Sequence, residues 1–244
     1  LLDRNGKGVF EGPDPFDGGL YLIYFSPEYY FDFLLGRDPM LSIRADTAGL
    51  AESLEFEGSE NNRIFQDYKN YLQTKRKELE KQQALLENNP DEDESDRIRK
   101  EIKEINREME SYMDRLESRH TDLFVSDFIG ATREPFPPGE MLNGKKRHDD
   151  SVRYYYYKNH YFDRFDPFDI RLLHTPVYEN KIKSYITRAV TQHPDSLIVA
   201  VDYLLDGARG HEDLYRYMLI TLFNHFAESK YMGMDVVYFH IAEH

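Results

Sequence analysis

Four residues within one short stretch have the types and spacing for proton or metal chemistry: His160, Asp163, Asp166 and Asp169. A histidine and a carboxylate three positions apart on a helix can share a proton or a cation. Pro167 and the repeated aspartates also read as the end of a helix, where aspartate caps and forms turns, and the pattern favours that structural role. His160 and Asp163, with Tyr155 and Tyr157, are the ligand-binding candidates. No residue is assigned a catalytic, cofactor-binding or metal-binding role, and no cofactor is expected.

The two tyrosine candidates belong to an unbroken run from Tyr154 to Tyr157. Helical spacing spreads such a run around the whole circumference, which predicts a segment covered on more than one side, a hub between layers. The rings could line a groove for a peptide, glycan or aromatic ligand, although packing between layers is the reading that aromatic rows favour. His174, Thr175 and His193 sit beside prolines at expected helix starts, where a histidine could donate to a loop carbonyl or respond to pH, but packing or capping is the ordinary role. His240 and His244 are four apart, the spacing of two ligands on one face, but His244 ends the sequence. There is no Gly-rich phosphate loop, nucleophile elbow or zinc-binding helix motif.

These residues need elements to hold them. The first 58 positions read as short strands, Lys7 to Glu11, Leu20 to Phe25, Tyr30 to Leu35, Met40 to Ala45 and Ser53 to Glu57, between turns rich in Gly, Pro and Asp. The turn signal Asp3-Arg4-Asn5-Gly6 needs a strand before it, so the sheet is expected to begin upstream of Leu1 and to leave an unpaired edge. Ser59 caps a long helix. After Asn88-Asn89-Pro90-Asp91 a second one carries Ile98, Ile102, Ile105, Met109, Tyr112 and Leu116 at heptad spacing, which predicts an antiparallel two-helix arm. The first helix keeps its seam poorly beyond Leu72, so the distal arm is expected to be solvated and loosely held. From Asp122 onward the pattern is helical. Thr175-Pro176 and His193-Pro194 open two of the helices, and Gly207, Gly210 and Gly233 mark helix ends and breaks.

The resulting expectation is an α+β chain: a small antiparallel sheet, a truncated sandwich, over residues 1–58, a projecting helical hairpin over 59–120, and an aromatic-rich helical domain over 121–244. A net charge of −14 opposes a nucleic-acid partner. No apolar run reaches bilayer length, and the start has no signal-peptide pattern. With no cysteine, these residues offer no disulfide and no thiolate nucleophile.

Three groups of residues carry a resemblance. Gly18-Gly19-Leu20-Tyr21-Leu22, Tyr30 to Leu35 and Gly58-Ser59-Glu60-Asn61 resemble the β-rich amino-terminal domain of envelope proteins from Gram-negative gut bacteria. Tyr157 to Asp163, Asp169 to Val177 and Gln192 to Ser196 resemble the helical domain of unknown function that follows in those chains. The resemblance extends over nearly the whole sequence. It implies that a thioredoxin-like domain with a paired-cysteine site follows, and that the protein is exported, often as a lipoprotein, to the periplasm or outer membrane. No redox residue carries over, because no cysteine is present to match. The implied role of these residues is a non-catalytic scaffold that positions the redox domain. Two alternatives are a binding module with an aromatic pocket and a self-association module that dimerises through the arm or the sheet edge.

Overall fold

A computed structural model describes residues 3, 4, 6–11, 16–36, 40–46, 49, 53–88, 91–142 and 144–243. Strands β1 (Gly19–Ser26) and β2 (Tyr29–Leu35) form an antiparallel hairpin in which Gly19 faces Leu35 and Tyr24 faces Tyr30. Its two-residue turn is Pro27-Glu28, and the register slips by one residue at Phe25. Strands β3 (Ser42–Arg44) and β4 (Glu55–Glu57) form a second, separate antiparallel pair. The chain is thus α+β, with two small hairpins in place of one continuous sheet. Lys7 to Glu11 is not a strand. The turn Asp3 to Lys7 does form, with Gly6 N donating to Asp3 O at 3.0 Å. Parts of the expected turns at Pro13-Asp14-Pro15, Arg37-Asp38-Pro39 and Asn89-Pro90 lie outside the described residues.

The arm consists of α1 (Glu60–Glu87) and α2 (Glu92–Arg119). Ser59 Oγ accepts from Asn62 N at α1, and the Asp91 carboxylate accepts from Glu94 N at α2, each satisfying an orphan donor of the first turn. Glu92, Asp93 and Glu94 then lie against the positive end of the α2 dipole. The heptad seam closes on α1: Tyr71 stacks on Tyr112 with ring centres 3.9 Å apart, and Lys75 pairs with Glu108 at 2.6 Å. The distal arm is better packed than its sequence suggested. Ile98 is 1% exposed, and Leu79, Gln82 and Leu86 of α1 are half-buried. Charged residues on α1 hide this seam in the sequence, because long side chains can cover an apolar partner with their stems.

Helix α3 (Phe124–Ala131) is the centre of the molecule, buried at every position except Asp127. A helix apolar on all sides must be enclosed on all sides. Around it, beside α1 and α2, come α5 (Ile170–Leu173) and α6 (Pro176–Ser184), which runs into one wide turn, Tyr185–Ala189, against which α4 (Lys146–Asn159) packs. That turn, closed by Val190 N donating to Tyr185 O, brings both Ile186 and Ala189 inward. Helices α7 (Pro194–Ala208), α8 (Glu212–Ala227) and α9 (Asp235–Ala242) complete the body through Val201, Leu204, Met218, Leu222 and Ile241. One apolar cluster runs from Leu34 in β2 to Ile241 in α9.

The arm is fixed to this body at its root. The Arg133 guanidinium, its side chain 7% exposed, pairs with Glu110 at 2.5 Å, Asp114 at 2.9 Å and also Glu117, all on α2. Arg164 adds Asp114 at 3.3 Å and Glu117 at 3.2 Å. On the far side of Arg133, the buried Lys181 of α6 donates to the Arg133 carbonyl and lies 3.6 Å from Glu134. Burial lowers the Lys181 pKa against the raising influence of Glu134.

Candidate functional site

The four residues singled out for chemistry do not converge. His160 follows the last turn of α4, and its Nδ1 lies 2.6 Å from Asp163 Oδ2, with the ring stacked on Tyr156 at 4.0 Å. Both groups face solvent. The Asp166 carboxylate accepts from Phe168 N at 2.9 Å, and that of Asp169 caps α5 by accepting from Arg171 N at 2.9 Å. Asp166 and Asp169 are thus turn and cap residues, as helix-end chemistry requires. Among the described residues no group of three His, Asp or Glu side chains is arranged to hold a metal ion.

The tyrosine run divides instead of forming an enclosed hub. Tyr154 and Tyr155 are 42% and 61% exposed, and Asp149 is the one buried residue of α4. Tyr157 turns inward, edge-on to Tyr161 at 5.2 Å and beneath Arg188. Its hydroxyl is shut away from solvent and makes no hydrogen bond of ordinary geometry among the described residues. Burial first, then the Glu134 carboxylate, push its pKa up to about 12. The enclosed aromatic hub starts after the run. Tyr161, Phe165 and Tyr178 are each at most 2% exposed. Tyr161 donates to Lys181 O and Tyr178 to Pro167 O, both at 2.6 Å. Burial raises the pKa of each. The sequence placed the hub several residues early because four like residues carry no directional signal until their neighbours break the symmetry.

Of the other residues singled out, His174 and His240 have structural partners. His174 Nδ1 meets Gly18 O at 3.2 Å, a loop-carbonyl contact where the sequence favoured ordinary packing or capping. His193 precedes α7 without capping it by its side chain. Thr175 does not cap α6 either; its hydroxyl donates back to Leu172 O at 2.6 Å. His240 Nε2 meets Asp202 Oδ1 of α7 at 2.6 Å, while His244 lies outside the described residues.

What the structure does concentrate is a junction. Asn62, 0% exposed, donates from Nδ2 to Leu34 O at 2.6 Å and accepts at Oδ1 from Leu34 N at 2.7 Å, so it reads the β2 backbone as another strand would. Its neighbour Asn61 accepts from Val125 N at the start of α3 at 3.0 Å. On the other side of the hairpin, Leu20 N donates to His174 O at 3.0 Å. A Cβ added at Gly19 would stand 2.6 Å from His174 Cβ, and one at Gly18 would stand 2.5 Å from Arg171 Cγ, so only glycine allows this approach. Arg171 in turn pairs at 2.6 Å with both Asp169 and Asp127, and burial raises the Asp127 pKa against the pull of the guanidinium. Sequence reasoning passed over Asn61, Asn62 and Arg171, since polar residues just inside a helix start read as solvated. The one available signal was the adjacency of Gly18-Gly19, marked as a turn but not as a contact.

Along α4, Lys146, Arg147, Asp150, Ser151, Tyr154 and Tyr155 line an open groove of about 550 Å³. Among the candidates from the sequence, Tyr155 alone lies on it; Tyr157 is on the inner side of the helix, and His160 and Asp163 are beyond its end. No helix among the described residues is long and apolar enough to cross a membrane. No curated protein and no solved structure matches the chain. A family model does match part of the chain: residues 145–244, from the residue that precedes α4, are similar to a domain of unknown function, DUF5106.

Proposed function

We propose that residues 1–244 are a non-catalytic scaffold that holds a thioredoxin-like domain of the same protein in position in the cell envelope. The observation that carries this reading is the junction, in which Asn61, Asn62, the Gly18-Gly19 pair and His174 lock the β1–β2 hairpin, the root of α1, α3 and α5 to one another through backbone contacts. Buried side-chain-to-backbone bonds of this kind fix orientation more than they add stability, because each partner is left unpaired if the parts shift. The absence of cysteine from the sequence assigns any dithiol chemistry to other residues of the protein.

The test is disulfide reductase activity, measured on the native full-length protein and on residues 1–244. The scaffold reading expects turnover in the first and none in the second; turnover by residues 1–244 overturns it. Gly19→Val in the full-length protein, which pushes the hairpin off His174, should lower kcat/KM on a folded protein disulfide several-fold and leave a small-molecule disulfide unaffected.

A further inference from the structure

The outward half of the tyrosine run is not absorbed by the scaffold reading. We propose that the outer face of α4 binds an acidic, extended protein segment that carries an aromatic or aliphatic side chain at one end. At 100° per residue, Lys146, Arg147, Asp150, Ser151, Tyr154 and Tyr155 fall on one half of the helix, and these residues line the groove. The opposite half carries the buried Asp149 and the half-buried Val152 and Tyr156, and the inward-turned Tyr157 lies at the edge between the two halves.

Three successive turns of this face offer three chemistries. The first presents Lys146 and Arg147, which have no ion-pair partner among the described residues, although acidic residues outnumber basic ones 45 to 31 in the chain. A pair of cations left open in so acidic a chain is matched to carboxylates. The second turn presents the Asp150 carboxylate and the Ser151 hydroxyl, which accept from peptide N–H groups. The third presents the faces of Tyr154 and Tyr155, packed edge-on at 5.4 Å, and exposed tyrosine beside arginine is the composition of an interface anchor. Asp150 in the middle decides the class of partner. A uniformly anionic surface, lipid or nucleic acid, would be repelled there, whereas a peptide brings donors to that position. From Lys146 to Tyr155 the face is about 13 Å long, the reach of about four extended residues.

The experiment follows backbone amide NMR signals of the 244-residue, 29.0 kDa chain during titration with the peptide Asp-Glu-Gly-Ser-Phe at low ionic strength. Lys-Lys-Gly-Ser-Phe, Asp-Glu-Gly-Ser-Ala and vesicles containing an anionic phospholipid serve as comparisons. Shifts confined to α4, weakened by salt and strongest for the acidic peptide with the aromatic end, are expected. Arg147→Glu should weaken binding about tenfold and Tyr155→Ala about fivefold, as rim charges and aromatic anchors do. Lys230→Glu, which reverses an exposed cation elsewhere, should change nothing. Equal binding of all three peptides, unaltered binding by Arg147→Glu, binding of vesicles alone, or no shift at peptide concentrations on the order of 10 mM each overturns the proposal. The scaffold reading is untouched by any of these results.

Discussion

Asn62 illustrates how one side chain can stand in for an element. Both hydrogen-bonding groups of Leu34 would face an adjacent strand, and the carboxamide supplies the same donor and acceptor from the first turn of α1. Asn62→Ala is therefore expected to leave a buried N–H and a buried C=O unpaired and to cost about 3 kcal/mol, measured as a drop in the urea midpoint at constant m-value. Asn62→Asp keeps the acceptor, loses the donor and buries a charge, so it should be at least as damaging. Gln82 points the other way. Its Oε1 is buried in the arm without a hydrogen-bond partner among the described residues, so Gln82→Leu should raise stability by about 1 kcal/mol.

At the scale of elements, much was legible because local chemistry and tertiary demand agreed. Ser59 and Asp91 cap the arm helices where capping residues announce a start, and Pro176 and Pro194 occupy first turns. The two hairpins follow from β-branched and aromatic runs between turns. What stayed hidden were contacts that depend on long-range placement: the enclosure of α3, the burial of Ile98 against a polar-looking α1, and the carboxylates gathered around Arg133. The candidate site was the least legible part. A histidine and aspartates at helical spacing look alike whether they converge or cap, and Pro167 was the informative residue. Arg133→Ala should cost about 2 kcal/mol. That is less than for a fully buried pair, because Glu110 and Asp114 are more than half exposed and can rehydrate. Amide hydrogen exchange on α2 should rise most near Glu110 to Glu117, and equal protection in the variant would argue against the clamp.

For the whole molecule the core is phenolic, and that sets its response to alkali. Burial raises the pKa of Tyr68, Tyr161, Tyr178, Tyr185 and others, so the folded state holds their protons more tightly than the unfolded chain does near 10. Their contribution is complete below pH 10 and is lost as pH rises through the folded values. Lys181, with its pKa lowered, acts in the opposite sense, but as one group against several. Stability should therefore fall steeply above pH 10. Phenolate absorbance should show a class of tyrosines, Tyr161 and Tyr178 among it, that appears only as the protein unfolds. A single smooth titration of all 19 tyrosines would contradict this.

The root of the arm also makes an amplifier. Each arm helix has 28 residues, and α2 is gripped near its C-terminal end by Arg133 and Arg164, which leaves a lever of about 33 Å from Asp114 to its far tip. A swivel of about 10° at that grip sweeps the far tip through about 6 Å, twice the width of a water molecule. A sub-ångström rearrangement among three carboxylates is thereby magnified into a displacement that any molecule touching the tip would feel.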